Sequence, residues 1–212
     1  EILLSRQSPY MITIVYYGMG NLGSMLNMFK RIGVQVRIES DPEMIRNAEK
    51  LVLPGVGAFD AAMQRINEQP GLREVIEHKA LIEQVPVLGV CLGMQLLTRS
   101  SEEGQLPGLG WISGTTQRFP RLEGLKVPHM GWNIANVSTP SRLTTGVGSE
   151  PRYYFVHSYY VQVDDSAHSL MRTHYGIDFD SAIGRDNIFG AQFHPEKSHR
   201  FGMQILKNFV EL

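Results

Sequence analysis

The sequence predicts an α/β fold, in which a mostly parallel central sheet is flanked by helices. In the first half of the chain, short apolar and β-branched segments alternate with amphipathic segments of helical spacing. This pattern is typical of parallel strands joined by helices. The 212 residues suffice for one well-filled domain, and no proline-, glycine- or serine-rich linker divides them. We therefore expect one domain over residues 11–212. Residues 1–10 are interpreted as a tag or disordered leader, because their apolar run is too short for a signal peptide.

Four strands are expected in the first half, each followed by helical sequence. The first helix should end at Gly33, and the second should begin with Asp41 as its N-cap and Pro42 at its first position. A third helical segment is predicted from Phe59 to about Glu83. The fourth strand is continuously apolar, as expected for a strand buried on both faces. The predicted strands are "MITIVYY", "VQVRIE", "KLVLPG" and "VPVLGV".

The second half predicts an antiparallel extension of the sheet. Residues 104–131 are rich in glycine and proline and should form loops and short strands. An amphipathic helix, "RFGMQILKNFVEL", closes the chain. Three strand regions are predicted before this helix, the last two antiparallel around "RDN": "RYYFVHSYYVQV", "HSLMRTHY" and "DSAIGRDNIFGAQFH".

Charge and composition exclude several classes of protein. The net charge is −1, with both signs spread along the chain, so the sequence has no basic footprint for nucleic acid or an anionic membrane. Every apolar run is far shorter than the ~20 residues that span a bilayer. One cysteine cannot form an internal disulfide, which suits a reducing, cytoplasmic environment. These observations favour a small neutral or zwitterionic ligand.

The single cysteine, Cys91, lies between the most apolar strand and a helical pattern. Gly89 and Gly93 flank it as G-x-C-x-G, the thiol counterpart of the elbow that lifts a nucleophile above a sheet. The start of a helix favours the thiolate form, and the backbone N–H of Leu92 is placed to donate to an oxyanion. A small, buried apolar residue is the alternative interpretation, so a neighbouring base must decide between them.

Among seven histidines, His194 has the sequence context of such a base. It is expected to end a strand, and Pro195 favours an extended conformation there. Its side chain and that of Glu196 can then lie on the same side of the chain. Glu196 would orient one imidazole nitrogen while the other faces the thiol, which gives the order nucleophile, base and orienting carboxylate.

The residues also bear on a metal site and a dinucleotide site. The chain has no H-E-x-x-H motif, cysteine pair or carboxylate cluster, so no metal is expected, and the thiol chemistry needs no cofactor. The glycines of "VYYGMGNLGSM", at Gly18, Gly20 and Gly23, match G-x-G-x-x-G, and Glu39 stands where a ribose ligand would. A dinucleotide-binding oxidoreductase is therefore an alternative, although it leaves the cysteine elbow and "HPE" unexplained.

From Met11 to Leu212 the sequence resembles the class I (triad) glutamine amidotransferases. The elbow "GVCLGMQ" and the late "FHPE" carry this resemblance. Further segments are most similar to the glutaminase subunits of imidazole glycerol phosphate synthase: "LPGVGAF", "VPHMGWN", "YFVHSYY" and "QFHPEKS". The resemblance implies a flavodoxin-like fold and hydrolysis of L-glutamine to glutamate and ammonia, with Cys91 as nucleophile and His194 passing the proton.

The resemblance also implies roles for residues around the triad. The backbone of Val56 or Gly57, from the "PGVG" loop, would complete the oxyanion hole with Leu92. Gln95 is similar to the family residue that holds the amino-acid part of the substrate. Further candidates for binding the substrate are Gly57, Ser158 and Tyr159.

A partner is implied as well, because ammonia released into water becomes mostly ammonium, which is not a nucleophile. The expected partner is a separate (β/α)8 synthase subunit in a heterodimer, and the isolated chain should hydrolyse glutamine slowly. The docking face should contain Asn21, His129, Met130 and Trp132.

Two further alternatives stay open at the level of sequence. The same glutaminase chemistry could supply ammonia to a sugar amidotransferase that makes surface polysaccharides. A non-catalytic interaction protein could keep the fold, although Cys91, His194 and Glu196 are all present.

Overall fold

A ten-stranded mixed sheet forms the centre of the protein. The computed structural model describes the backbone of residues 8–212 and the side chains of residues 11–212. The predicted leader falls mostly outside the described residues, and the first strand begins at Ser8. Five strands are mutually parallel in the spatial order β2-β1-β3-β4-β12. They are β1 (Ser8–Val15), β2 (Val34–Glu39), β3 (Lys50–Leu53), β4 (Val87–Val90) and β12 (Ile188–Ala191).

The remaining strands extend the sheet antiparallel, as the sequence predicts. A tight hairpin at Asp186 and Asn187 joins β11 to β12. The region "RYYFVHSYYVQV" is broken at Ser158: β8 pairs with β6 in a separate two-stranded sheet, whereas β9 pairs with β5 and β11. The strands are β5 (Gly114–Arg118), β6 (His129–Ile134), β7 (Asn136–Val137), β8 (Arg152–His157), β9 (Tyr159–Val163), β10 (Ser169–Tyr175) and β11 (Ile177–Arg185).

In the described part of the chain, six α-helices connect or cover these strands. Gly33 ends α1 with φ of 91° and donates its N–H to the carbonyls of Phe29 and Lys30, and the Asp41 side chain caps α2, both as predicted. The helical segment predicted from Phe59 to about Glu83 is confirmed, although Pro70 and Gly71 divide it and a π-helical turn follows at His78–Ile82. The helices are α1 (Gly23–Ile32), α2 (Pro42–Ile45), α3 (Phe59–Glu68), α4 (Leu72–Glu77), α5 (Leu92–Leu96) and α6 (His199–Val210).

Alternation along the strands divides the core into two layers. Leu51 of β3 packs with Phe59 of α3, whereas its neighbour Val52 belongs to a cluster that contains Phe29 of α1 and Phe209 of α6. Side chains of successive strand residues point to opposite faces, so helices cover both sides of the parallel half. None of the helices in residues 8–212 has the length and apolar character needed to cross a membrane.

The strand order brings several loops together at the carboxyl ends of the parallel strands. The chain runs from β1 outward to β2 and then crosses back to β3 on the other side of β1, so the direction of winding reverses there. Ligands of open α/β sheets bind at the carboxyl ends of strands near such a reversal. The segments that follow β1, β3, β4 and β12 all meet there. His194 lies in the last of them, beyond the end of β12 at Ala191, so the prediction that it ends the strand is wrong.

Candidate active site

Cys91 occupies a strained turn between β4 and α5. Its φ of 56° and ψ of −117° are rarely adopted by a residue with a side chain. A Cβ atom on Gly93 would lie 1.8 Å from the Leu53 carbonyl oxygen, and one on Gly89 would lie 2.6 Å from the Gly93 oxygen. The backbone can therefore turn this sharply only with glycine at both positions. The geometry is the elbow that the G-x-C-x-G spacing predicts.

His194 and Glu196 are held together directly after β12. Their atoms Nδ1 and Oε1 are 2.7 Å apart, and both side chains are at least 90% buried. The backbone of His194 is extended, with φ of −94° and ψ of 99°, as Pro195 predicts. Its N–H donates to the Tyr154 carbonyl of β8 at 3.0 Å. Because the carboxylate accepts from Nδ1, the other nitrogen, Nε2, is left for the thiol.

The electrostatics of the pair favour a charged imidazole. Burial lowers the pKa of His194, but the neighbouring side chains of Cys91 and Glu196 outweigh burial and raise it to about 10. Nε2 has no other hydrogen-bond partner among the described residues, so it is available to Cys91. A thiolate and an imidazolium stabilise each other in this buried place. The site can therefore hold a nucleophile and a proton donor side by side.

A cavity of about 290 Å³ opens beside Cys91. It brings together residues from the elbow, the "PGVG" loop, the junction of β8 and β9, and His194. A larger cavity, about 550 Å³, lies at the opposite edge of the sheet and contains none of the predicted site residues. The predicted residues that line the smaller cavity are Val56, Gly57, Cys91, Leu92, Gln95, Ser158, Tyr159 and His194.

A carbonyl of the loop after β3 accepts a hydrogen bond from the N–H group that the sequence assigns to the oxyanion hole. The Leu92 N–H donates to the Gly55 carbonyl at 3.3 Å, so it is not free in this conformation. The Tyr17 hydroxyl donates to the Pro54 carbonyl at 2.6 Å and holds the start of the same loop. Burial, with a smaller contribution from Cys91, raises the pKa of Tyr17, so this phenol keeps its proton. An oxyanion would require the loop to move.

The predicted docking residues of β6 lie on opposite faces of the strand. Met130 and Trp132 are 62% and 48% exposed, and Asn21 is exposed on the loop after β1. His129, by contrast, is 3% exposed. Successive side chains of a strand point to opposite faces, so His129 points into the protein in this conformation, and its role on the docking face stays a prediction.

His129 instead belongs to a buried chain of hydrogen bonds, which we call the histidine chain. His157 Nδ1 lies 2.7 Å from the Tyr159 carbonyl, which can only accept, so Nδ1 carries the proton. Its Nε2 then accepts from His129 Nδ1 at 2.9 Å. Asn133 Nδ2 donates in turn to His129 Nε2 at 3.2 Å. Each ring nitrogen of the two histidines thus has a hydrogen-bond partner while both imidazoles are neutral.

These histidines should make the protein sensitive to acid. Burial lowers the pKa of His129 from 6.5 to about 4 and that of His157 from 6.5 to about 3. Between pH 6.5 and these lowered pKa values the unfolded chain binds more protons than the folded chain. The contribution of the two histidines to stability is therefore complete above about pH 6.5 and is lost as the pH falls. Each group can add up to about 1.4 kcal/mol per pH unit to the slope of the free energy of unfolding.

We expect chemical denaturation at several pH values below 6.5 to show this slope, and the variant His157→Gln to show a shallower one. His174→Gln is the matched control, because His174 is 72% exposed. Equal slopes in the wild-type chain and His157→Gln would contradict the assignment.

Two residues at the site were not singled out from the sequence. Gln192, between β12 and His194, is fully buried and contacts both Gln95 and Cys91. His157 lines the cavity and ends the histidine chain. Only Gln192 has a local signal, a polar residue inside an otherwise apolar run before "FHPE".

Comparisons with known proteins agree with this geometry. The family model for glutamine amidotransferase class-I matches residues 13–212. The chain is 50% identical over 202 residues to a Pseudomonas aeruginosa protein named imidazole glycerol phosphate synthase subunit HisH 2, covering 95% of this chain and 100% of that protein. A protein of the same name from Methanococcus maripaludis is 50% identical over 201 residues, covering 95% and 99%.

Solved structures share the fold at low sequence identity. The structure of PurLQS from Thermotoga maritima superposes with a TM-score of 0.74 at 15% identity, covering 95% of this chain and 98% of that one. A glutamine amidotransferase from the same organism gives a TM-score of 0.62 at 16% identity, covering 95% and 81%. These two comparisons support the fold alone.

Proposed function

Because the chain belongs to the class I glutamine amidotransferase family, we propose that it acts as the glutaminase subunit of an imidazole glycerol phosphate synthase in histidine biosynthesis. Cys91, His194 and Glu196 form its catalytic triad in this proposal. The observation that carries it is the Glu196–His194 hydrogen bond of 2.7 Å, which leaves Nε2 beside the strained cysteine. An oxidoreductase built on the glycines of the first loop finds no support in these relatives.

The triad performs the hydrolysis in two steps. The Cys91 thiolate attacks the side-chain amide carbon of L-glutamine, and a C–S bond forms. The C–N bond then breaks while His194 gives its Nε2 proton to the leaving nitrogen, which departs as ammonia. In the second step water attacks the thioester carbon and gives a proton to His194. The C–S bond breaks, glutamate leaves and the thiolate is restored.

Substrate recognition falls to the walls of the cavity beside Cys91. Gln95, Ser158, Tyr159 and Gly57 would hold the amino-acid end of glutamine. The Gln95 side-chain nitrogen already donates to Tyr159 and Gln192, so its oxygen is the atom left to accept from a substrate ammonium.

The oxyanion hole is the part that must be assembled. We assign it to the backbone N–H groups of Leu92 and of Val56 or Gly57. In the conformation described, the Gly55 carbonyl accepts from Leu92, so a developing oxyanion would meet an occupied donor. One missing donor of this kind costs about a hundred- to a thousandfold in rate. A partner that turns the loop would thus switch the reaction on.

The partner in this proposal is a (β/α)8 synthase subunit, which forms a heterodimer with the chain. Met130, Trp132 and Asn21 supply an exposed surface beside the active-site edge. Ammonia passes to this subunit through a sealed interface, before water can protonate it, and is used to make imidazole glycerol phosphate and AICAR. The names of the relatives support this partner and give no support to a sugar amidotransferase. We place the complex in the cytoplasm, which suits a chain with one reactive cysteine.

The experiment that tests this function measures glutamate release from glutamine. The chain alone is expected to be slow, and a (β/α)8 imidazole glycerol phosphate synthase subunit should accelerate it by about a hundredfold or more. A sugar amidotransferase synthase is the control partner and should not activate. Full activity without a partner, or activation by the control alone, would reject the proposal.

A further inference from the structure

We propose that Gln192 is a positioning residue that stabilises the Cys91 thiolate, and that Gln95 sets its orientation. This inference rests on the proposed function, because it takes Cys91 as the nucleophile. Gln192 is completely buried between the end of β12 and the elbow. Its Nε2 atom lies 3.9 Å from Cys91 Sγ, and its Oε1 atom lies 3.0 Å from Gln95 Nε2.

The orientation of Gln192 follows from a backbone carbonyl. An amide side chain has one donor end and one acceptor end. The Tyr159 carbonyl can only accept, and Gln95 Nε2 lies 3.2 Å from it, so the nitrogen of Gln95 is fixed there. The same nitrogen donates to Gln192 Oε1. The N–H groups of Gln192 therefore point toward the Cys91 sulfur.

The reversed orientation of Gln192 would be costly. It would place two nitrogens against each other at Gln95 and an oxygen against the Cys91 sulfur. Buried donors and acceptors left without partners in this way destabilise the folded protein. The observed orientation is therefore held by the network and does not depend on substrate.

The chemistry of the thiolate shows why this contact matters. The Val156 carbonyl lies 3.9 Å from Sγ and can stabilise only the protonated thiol, because both a carbonyl and a thiolate are acceptors. The Leu92 N–H is occupied by Gly55. Gln192 therefore supplies a neutral donor on the sulfur in addition to His194. A neutral donor favours the thiolate without repelling the imidazolium.

Two variants separate this contact from packing. Gln192→Glu keeps an acceptor for Gln95 but replaces the N–H at the sulfur with oxygen, and Gln192→Met removes both contacts at similar volume. We expect the pH at which iodoacetamide alkylation reaches half its maximal rate to rise in both variants, more in Gln192→Glu. With the synthase subunit bound, kcat should fall about tenfold in Gln192→Met and further in Gln192→Glu, with little change in KM for glutamine.

The matched control is Gln162→Glu. Gln162 also accepts from a glutamine side chain, Gln117, at 3.2 Å, but on the exposed surface of β9. Its alkylation profile and kcat should match the wild-type chain. Unfolding midpoints of all variants check that each is folded.

One measurement needs no folded Gln192 variant. In the wild-type chain, the NMR signal of the Gln192 side-chain amide should shift with the pH dependence of alkylation, and this shift should be absent in Cys91→Ala. A Gln192 amide signal that does not shift with pH would overturn the inference. Alkylation profiles of folded Gln192 variants that match the wild type would also overturn it. Glutaminase activity that survives in Cys91→Ala would instead overturn the proposed function, so the two failures are distinguishable.

Discussion

Replacing Cys91 with alanine is expected to lower partner-activated glutaminase activity by about 10⁴-fold or more. The variant removes the atom that forms the thioester, and no other cysteine exists in the chain to replace it. Glutamate release in the presence of the (β/α)8 subunit measures the loss. Binding of glutamine should persist, since the cavity walls at Gln95, Ser158 and Tyr159 are unchanged.

The control for this variant bypasses the glutaminase. Ammonium salt at alkaline pH supplies free ammonia directly, so the complex containing Cys91→Ala should still form imidazole glycerol phosphate. Failure with both glutamine and ammonia would indicate a damaged complex. Unchanged glutamate release would show that Cys91 is a buried apolar residue, and a different nucleophile would be required.

The variant Gly93→Ala is expected to lower the free energy of unfolding by about 3 kcal/mol or more. The added Cβ would lie 1.8 Å from the Leu53 carbonyl oxygen and 3.3 Å from the Pro54 carbonyl carbon. Both contacts are with backbone, at the end of β3, so no side-chain rotation relieves them. The elbow must shift, and glutaminase activity should fall with stability. Chemical denaturation measures the first effect and glutamate release the second.

Gly23→Ala is the matched control for the same substitution. Its Cβ would meet only the Asn21 side-chain oxygen at 3.4 Å, in the first turn of α1. Stability should stay within about 1 kcal/mol of the wild-type value or increase, because alanine favours helix. A Gly93→Ala variant as stable as Gly23→Ala would mean that β3 and the elbow do not approach as described.

Local patterns made part of this protein predictable from its sequence. The elbow at Cys91 could be expected because two glycines at fixed spacing permit one sharp turn, and the structure has that turn. The extended backbone at His194 followed from Pro195, whose ring restricts the preceding residue. The sequence therefore identifies the three triad residues. It does not show that they meet, because their shared location depends on β4 and β12 being neighbours in the sheet.

Features that depend on distant segments were not predictable. The break at Ser158 separates β8 from β9 because each pairs with a different sheet, and the apolar pattern continues through it. The burial of His129 depends on which face of β6 meets Phe155 and Tyr175. Likewise, the occupied Leu92 N–H depends on the position of a loop that follows another strand. No spacing within the sequence contains this information.

The hydrogen bonds of the histidine chain also form a row of aligned dipoles. Every N–H from Asn133 through His129 to His157 points toward the Tyr159 carbonyl, so the bond dipoles add along the row. The last N–H of the row, on His157 Nδ1, is directed at the Tyr159 carbonyl oxygen. A charged His157 would repel the His194 imidazolium, whereas the neutral row adds no competing charge beside the triad. The order of these bonds therefore keeps the buried imidazoles uncharged, and it depends on Asn133, which lies on the strand that presents Met130 and Trp132.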